Sequence, residues 1–173
     1  MDLKIRQENR DDINEIYKIH TLAFGQENEG KLVDLLRDSD TFVPELSLVA
    51  TIDNKIVGHI LFTKIKIADD NQNEFDSLAL APIAIKPDIQ KKGIGGQLIR
   101  AGLNKARELN FESVIVLGHE HYYPKFGFVP TTKWNIKSPF DVATNLFMGL
   151  ELMEGGLKNV SGIVKYPKEF DSV

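Results

Sequence analysis

Residues 80–99 constrain the fold of this 173-residue chain more than any other stretch. An apolar run ends at Ile85, and a loop rich in lysine and glycine follows it. Residues 95–109 then repeat small and apolar side chains at helical spacing, at Leu98, Ile99, Gly102, Leu103 and Ala106. The pattern predicts a buried strand that leads through the loop directly into an amphipathic helix, for which Asn110 is a suitable left-handed cap.

The glycines and lysines of this loop favour a phosphate site. Glycine lets the backbone approach a ligand closely and adopt positive φ. The first N–H groups of a helix point outward and carry partial positive charge. Lys91 and Lys92 add positive charge at the rim. The loop and the start of the helix are therefore suited to bind a pyrophosphate group.

Three phosphate-binding patterns are candidates for this segment. A Walker loop requires Gly-Lys followed by Ser or Thr, and the chain contains no such tripeptide. The dinucleotide fingerprint of Rossmann folds requires a third glycine at the position of Leu98, which leaves a Rossmann-type binder as a distant alternative. The third pattern, Gln-x-x-Gly-x-Gly, is matched by Gln90, Gly93 and Gly95. A glycine-rich turn that only connects a strand to a helix is the alternative without a ligand.

The third pattern resembles the coenzyme A pyrophosphate loop of the GNAT superfamily of acetyl-CoA-dependent N-acyltransferases. Residues 123–128, Tyr-Pro-Lys-Phe-Gly-Phe, are similar to the last motif of that family, Tyr-x-x-x-Gly-Phe. Together with residues 80–85 they resemble its YhbS-like branch. The resemblance implies that the following residues hold the pyrophosphate: Gln90, Lys91, Lys92, Gly93, Ile94, Gly95 and Gly96.

Pro82 interrupts the strand before the loop. Proline removes a hydrogen-bond donor from a strand, so it marks a bulge or an edge. In GNAT proteins this strand bulges and separates from its neighbour, and its unpaired backbone binds pantetheine. The resemblance implies that role for Ile83, Ala84 and Ile85, with a backbone N–H polarising the thioester carbonyl. A proline at the rim of a sheet, without a ligand, is the alternative.

Tyr123 and His119, which both follow the strand 113–117, are candidates for proton transfer. The resemblance implies that Tyr123 protonates the departing thiolate, because a phenol with a pKa of about 10 is close in basicity to an alkyl thiolate. Aromatic packing is the alternative role, and the adjacent Tyr122 is the alternative donor. His119 ranks first as a base or proton relay. Other candidate bases are Glu45, Glu120 and Glu151, whereas His59 is interpreted as a core or groove residue.

Composition excludes several other functions. The chain contains no cysteine, which rules out disulfides and thiolate chemistry. His119 and His121 alone are a weak metal signal, and we predict no metal. The net charge of −4 and the absence of a basic run argue against nucleic-acid binding. The longest apolar run has eight residues, too few for a membrane span. Because residues 1–8 alternate rather than form a signal peptide, we expect a cytoplasmic protein.

The remaining pattern predicts one α/β domain over residues 1–173. Strands are expected near residue 3 and at 47–52, 56–67, 75–85, 113–117, 147–152 and 162–166. A first helix after Asp11-Asp12 should bury Ile13, Ile16, Tyr17, His20, Ala23 and Phe24, and a second should bury Leu32, Leu35 and Leu36. We expect a GNAT-like mixed, mostly antiparallel sheet of about six or seven strands flanked by helices. It should open in a V between strands 75–85 and 113–117.

The resemblance implies an N-acetyltransferase that moves an acetyl or short acyl group from acetyl-CoA to an amine by direct transfer in a ternary complex. The acceptor would be a small molecule or a peptide, and Trp134, Phe140 and Phe147 are candidate lining residues of its site. A homodimer is common in the superfamily. The alternative function is a non-catalytic module that senses acyl-CoA.

Overall fold

The computed structural model describes residues 2–173, which contain three α-helices and nine β-strands. The helices are α1 (Ile13–Phe24), α2 (Asn28–Arg37) and α3 (Ile94–Glu108). The strands are β1 (Leu3–Gln7), β2 (Phe42–Ile52), β3 (Lys55–Ala68), β4 (Glu74–Ile85), β5 (Ser113–Leu117), β6 (Val129–Pro130), β7 (Ile136–Lys137), β8 (Phe147–Glu151) and β9 (Gly162–Lys165).

The strands form one sheet in the order β1-β2-β3-β4-β5-β8-β6, and β9 pairs with both β3 and β7. Pairing is parallel between β4 and β5 and between β7 and β9. It is antiparallel between β1 and β2, β2 and β3, β3 and β9, β5 and β8, and β6 and β8. This confirms the expected mixed, mostly antiparallel sheet flanked by helices.

The chain forms two compact units, which are described separately below. The first comprises the chain as far as Thr63, together with Ala81–Lys105 and Lys168–Val173. The second comprises Lys64–Leu80 and Ala106–Pro167. β3 and β4 each contribute residues to both units. A single domain over residues 1–173 stays a prediction.

In the first unit, α1 and α2 bury one face each against the sheet. A short 3-10 helix, Arg10–Asp12, precedes α1, and Gly25, with a left-handed φ of 68°, caps the end of α1 after Phe24. The core cluster consists of Ile16, Ile19, Leu32, Val33, Leu36, Val49, Ile56, Leu61 and Ala84. Two expected core residues are exposed instead, Phe24 by 44% and Leu35 by 41%. Leu35 lies outside the arc of α2 that Leu32, Val33 and Leu36 define.

Helix α3 begins at Ile94, one residue before the predicted start, and ends at Glu108. Its predicted buried face is confirmed, and Asn110 has the left-handed φ of 69°. Gly102 brings α3 close to the sheet, because a Cβ there would lie 2.1 Å from Cε1 of the fully buried Phe62. This close packing fixes the helix that carries the glycine-rich loop.

In the second unit, β5 pairs with β8 from Ser113–Glu151 to Leu117–Phe147. The recorded pairs of β5 with β4 are Leu78–Val114 and Ala79–Ile115, while β4 runs on to Ile85. The prediction of strand 113–117 is confirmed. Strands 147–152 and 162–166 each end one residue earlier than predicted, and the two-residue strands β6 and β7 were not predicted.

The prediction also missed the start of β2. The sequence predicts a strand over residues 47–52, but β2 begins at Phe42. The pairing with β3 shifts register between Phe42 and Ser47. Pro44 lies within this irregular stretch, where an absent N–H donor is tolerated.

Candidate functional site

The end of β4 and the start of the glycine-rich loop are held by two hydrogen bonds. The backbone N–H of Lys86 donates to the carbonyl of Val57 at 2.8 Å. After a 3-10 helix, Pro87–Ile89, the side-chain Nε2 of Gln90 donates to the carbonyl of Ile85 at 3.0 Å. Gln90 thus closes the turn that joins the strand to the loop.

The loop then passes through two left-handed residues, Lys91 with a φ of 65° and Gly93 with a φ of 82°. The side chain of Ile94 is 1% exposed and anchors the start of α3. The first helical hydrogen bond runs from the backbone N–H of Gln97 to the carbonyl of Gly93, at 3.2 Å. The N–H groups of Ile94, Gly95 and Gly96 come before this bond and have no acceptor within the helix. Gly95 and Gly96 belong to the first turn of α3, in agreement with the predicted helix over residues 95–109.

Charge at this site favours an anionic ligand. Lys91, Lys92 and Gly93 are exposed, and they stand at the positive end of the α3 dipole. A Cβ at Gly93 would meet nothing within 4 Å, so the backbone there is open to close approach. Glycine, exposed lysines and uncommitted N–H groups at a helix N-terminus together suit a phosphate or pyrophosphate. All ten predicted cofactor-binding residues lie in the first unit.

The predicted pantetheine-binding segment has alternating burial. Pro82 and Ala84 are buried, whereas Ile83 and Ile85 are half-buried. The Ala81–Pro82 peptide bond is cis. Ala84 belongs to the core of the first unit, so the segment is fixed from one side by packing.

The predicted acid, Tyr123, lies in the second unit at the start of a 3-10 helix, Tyr123–Phe126. Its side chain is only 6% exposed, and the rings of Tyr122 and Phe128 contact it edge-on at centroid distances of 5.2 and 5.8 Å. Burial, with a smaller contribution from Tyr122, raises the pKa of Tyr123 to about 12. The phenol therefore stays protonated at neutral pH.

The predicted base, His119, is an exposed residue of the same turn. Its carbonyl accepts hydrogen bonds from the backbone N–H groups of Tyr122 at 3.1 Å and Tyr123 at 3.4 Å. Among the alternative bases, Glu151 accepts a hydrogen bond from Leu157 N at 2.9 Å, and an oxygen of Glu120 lies 3.4 Å from His121 Nε2. Glu45 is half-buried on β2.

The first unit also contains a buried polar network that was not predicted. Arg37 donates to both oxygens of Glu8, at 2.7 and 3.2 Å, and the hydroxyl of Ser47 donates to Glu8 as well. The Oγ of Ser47 lies 2.8 Å from His59 Nε2, and His59 Nδ1 lies 2.8 Å from His20 Nε2. Ser47, His59 and His20 are fully buried. His59 is thus the core residue that we predicted.

The Glu8 carboxylate determines which atoms donate and which accept in this network. A carboxylate only accepts, so Ser47 gives its proton to Glu8 and accepts from His59 Nε2–H. His59 Nδ1 must then accept from His20 Nε2–H, which leaves His20 Nδ1 unprotonated and, within residues 2–173, without a hydrogen-bond partner. Burial lowers the pKa of His20 to about 3 and also lowers that of His59. Both rings are therefore neutral at pH 7.

The second unit has a cavity of about 290 Å³. Phe140, which is 48% exposed, and the buried Phe147 line it, whereas Trp134 does not. The other lining residues are Thr131, Thr132, Asn135, Ile136, Lys137, Ser138, Val142 and Thr144. Residues 2–173 contain no cluster of three or more metal-ligating side chains, and none of their helices is long and apolar enough to cross a membrane.

The mixed, mostly antiparallel sheet flanked by helices is the fold of the GNAT class. The model of the acetyltransferase (GNAT) family matches residues 13–128, and the chain belongs to this family. The chain is 40% identical over 121 residues to the uncharacterized N-acetyltransferase YjhQ of Escherichia coli strain K12. That alignment covers 70% of this chain and 66% of YjhQ.

Two solved structures are similar over nearly the whole chain. The GNAT family N-acetyltransferase YhbS from Escherichia coli, in complex with CoA, has a TM-score of 0.90 and 25% identity, covering 98% of this chain and 92% of YhbS. A GNAT family acetyltransferase from Brucella melitensis, in complex with acetyl-CoA, has a TM-score of 0.78 and 31% identity, covering 98% of each chain. These similarities confirm the predicted fold and the resemblance to the YhbS-like branch.

Proposed function

We propose that the protein transfers an acetyl or short acyl group from acetyl-CoA to an amine by direct transfer in a ternary complex. The observation that carries the proposal is the turn from β4 into α3. There Gln90 closes the loop, and Gly93 exposes backbone beside Lys91 and Lys92 at a helix N-terminus. Two relatives of similar structure were crystallised with CoA or acetyl-CoA. A cytoplasmic location and a homodimer belong to the same proposal.

In this proposal the residues of the first unit bind the acyl donor. Residues 90–96 hold the pyrophosphate, while the backbone of Ile83, Ala84 and Ile85 at the end of β4 pairs with pantetheine. A backbone N–H of this segment donates to the thioester carbonyl and stabilises the negative charge that develops on its oxygen. Holding the amine next to the thioester provides a large part of the rate acceleration, as effective molarity.

Proton transfers complete the proposed reaction. The amine lone pair forms a bond to the carbonyl carbon, and the carbon–sulfur bond breaks. Tyr123 donates its phenol proton to the sulfur, and His119 accepts the proton that the amine loses, directly or through water. The phenol reaches the reaction protonated, as the first role requires, and burial makes it a weaker proton donor than an exposed tyrosine. The acceptor class, a small molecule or a peptide, is part of the proposal.

The experiment is a thiol-release assay with acetyl-CoA and a panel of amines: an alkylamine, an arylalkylamine, spermidine, an amino acid amide and a dipeptide. The chain contains no cysteine, so the protein itself contributes no thiol signal. We expect at least one amine to be acetylated. CoA binding without turnover of any of these amines would favour the acyl-CoA-sensing alternative.

Tyr123→Phe tests the proposed acid. It should lower kcat at least about tenfold, because general acid catalysis contributes about 10²–10⁴-fold, while the Kd for CoA stays unchanged. Tyr122→Phe is the matched control, since that ring is half-buried and adjacent. Equal turnover in wild type and Tyr123→Phe would remove Tyr123 from the mechanism.

A further inference from the structure

The ring of Tyr123 lies against the backbone of Gly118, the first residue after β5. A Cβ built on Gly118 would lie 2.7 Å from Cε2 of Tyr123, 3.5 Å from Cδ2 and 3.6 Å from Cζ. The nearest atom is therefore the ring carbon next to the one that bears the hydroxyl group. Ordinary van der Waals contact begins near 3.4 Å, so any side chain at position 118 requires the ring to recede by about 0.7 Å.

The ring has little freedom to recede without displacing its hydroxyl. Tyr122 and Phe128 contact it edge-on, at interplanar angles of 76° and 73°. At the backbone level, the N–H of Tyr123 donates to the carbonyl of His119, and Gly118 N–H donates to the carbonyl of Leu146 at 2.9 Å. The turn and the ring are thus held from several sides, and a methyl group at position 118 would push on a rigid ring rather than on a flexible chain end.

Space, and not backbone conformation, is what requires glycine at position 118. Gly118 is not among the positive-φ glycines of residues 2–173, unlike Gly127 at a φ of 100°. Alanine at position 118 therefore has no conformational penalty of the kind that left-handed positions impose. This makes Gly118→Ala a specific perturbation of the Tyr123 ring.

We infer that Gly118 is a positioning residue, which sets the place of the Tyr123 hydroxyl by leaving room for the ring against its own backbone. The inference rests on the proposed role of Tyr123 as the acid. Proton donation requires the phenol oxygen within about 2.6–3.2 Å of its partner. A displacement approaching 1 Å of a reacting group can reduce the rate by about 10²-fold.

The first test is independent of the acceptor and uses the full chain labelled with ¹³C at tyrosine Cζ. The chain has four tyrosines, and the Tyr123→Phe variant assigns the signal of Tyr123. In Gly118→Ala we expect this signal to shift and its pH titration to move down toward ordinary tyrosine values, because the ring becomes less buried. An unchanged signal and titration would overturn the inference. Gly149→Ala is the control, because a Cβ there meets Trp134, Ile115 and Thr131 instead.

The second test is kinetic and uses thiol release from acetyl-CoA with the best amine of the panel. Gly118→Ala should lower kcat about tenfold or more, with the KM and Kd for acetyl-CoA within twofold of wild type. Added to Tyr123→Phe, it should cause no further loss, because the group that it displaces is already absent. An additional loss in the double variant would show a general structural effect and overturn the inference. Unchanged turnover in Tyr123→Phe would instead refute the acid role, while the ¹³C result still tests whether Gly118 places the ring.

Discussion

The buried network of the first unit predicts that the protein loses stability in mild acid. The folded-state pKa of His20 is about 3, against an ordinary value of 6.5, because burial penalises the charged ring and because His59 and Arg37 lie nearby. Burial also lowers the pKa of His59, and the nearby Glu8 carboxylate, which accepts from the ring, opposes this only in part. Between pH 6.5 and the folded-state pKa, the unfolded chain therefore binds protons that the folded protein does not.

The sign and the size of the effect follow from this difference. Stability is complete above the unfolded pKa and falls as the pH decreases below 6.5. His20 alone contributes up to about 1.4 kcal/mol per pH unit, so roughly 2 kcal/mol is lost between pH 6.5 and pH 4.5. His59 acts in the same direction. Glu8, whose pKa hydrogen bonds from His59, Arg37 and Ser47 lower to about 2 despite its burial, adds a further loss only below about pH 4.5.

Urea unfolding followed by circular dichroism at several pH values measures this dependence. In wild type, the free energy of unfolding should rise with pH between 4.5 and 6.5. The slope should correspond to the uptake of more than one proton per molecule on unfolding. His20→Phe keeps an aromatic ring beside Phe24 but removes one titrating group. The slope should therefore decrease by about one proton, whatever the absolute stability of the variant. Leu22→Phe, at an exposed position of the same helix, removes no titrating group, so the slope should stay unchanged. Identical slopes in wild type and His20→Phe would refute the reasoning.

Two further predictions concern α3 and its loop. Gly102→Ala should lower Tm and weaken CoA binding, because the added Cβ meets the ring of Phe62 and overpacking costs about 1–3 kcal/mol. A Tm at or above the wild-type value in thermal unfolding would contradict this prediction. Lys92→Gln should raise the Kd for CoA roughly two- to fivefold and reduce its salt dependence, since an exposed charge contributes about 0.5–1 kcal/mol. Titration calorimetry at two salt concentrations checks this, with Lys158→Gln as the control that should match wild type.

Local patterns in the sequence were sufficient to predict α3, its cap and one of the strands. The buried face of α3, the cap at Asn110 and the strand 113–117 were predicted because each depends on neighbours within a few residues. Asp53 and Asn54, with φ values of 51° and 66°, form the tight turn between β2 and β3, and residues of these types tolerate positive φ. The Gln-x-x-Gly-x-Gly spacing located the candidate phosphate site for the same reason.

Contacts between distant residues could not be predicted in this way. Glu8, directly after β1, and His59 on β3 are 51 positions apart, and only the strand order brings them to the same network. Gly118 and Tyr123 are only five positions apart, but their contact depends on an irregular turn rather than on a periodic pattern. The irregular pairing around Pro44 shows the opposite case, in which the sheet tolerates a residue that local rules exclude.

The central claim, that the turn from β4 into α3 binds the acyl donor, is tested most directly by thermal-shift titration with acetyl-CoA, CoA, NAD and ATP. At about a hundred times its Kd, a ligand adds about 2.7 kcal/mol, which is roughly 5–10 °C for a chain of this size. We predict this shift with acetyl-CoA and CoA and not with NAD or ATP.

Gly93→Val should abolish the shift, because Gly93 has a φ of 82° and its open backbone faces the ligand in our proposal. Gly155→Val introduces the same side chain at a φ of 73° in an exposed turn of the second unit, and it should retain the shift. No shift with any CoA species, or an undiminished shift in Gly93→Val, would contradict the claim.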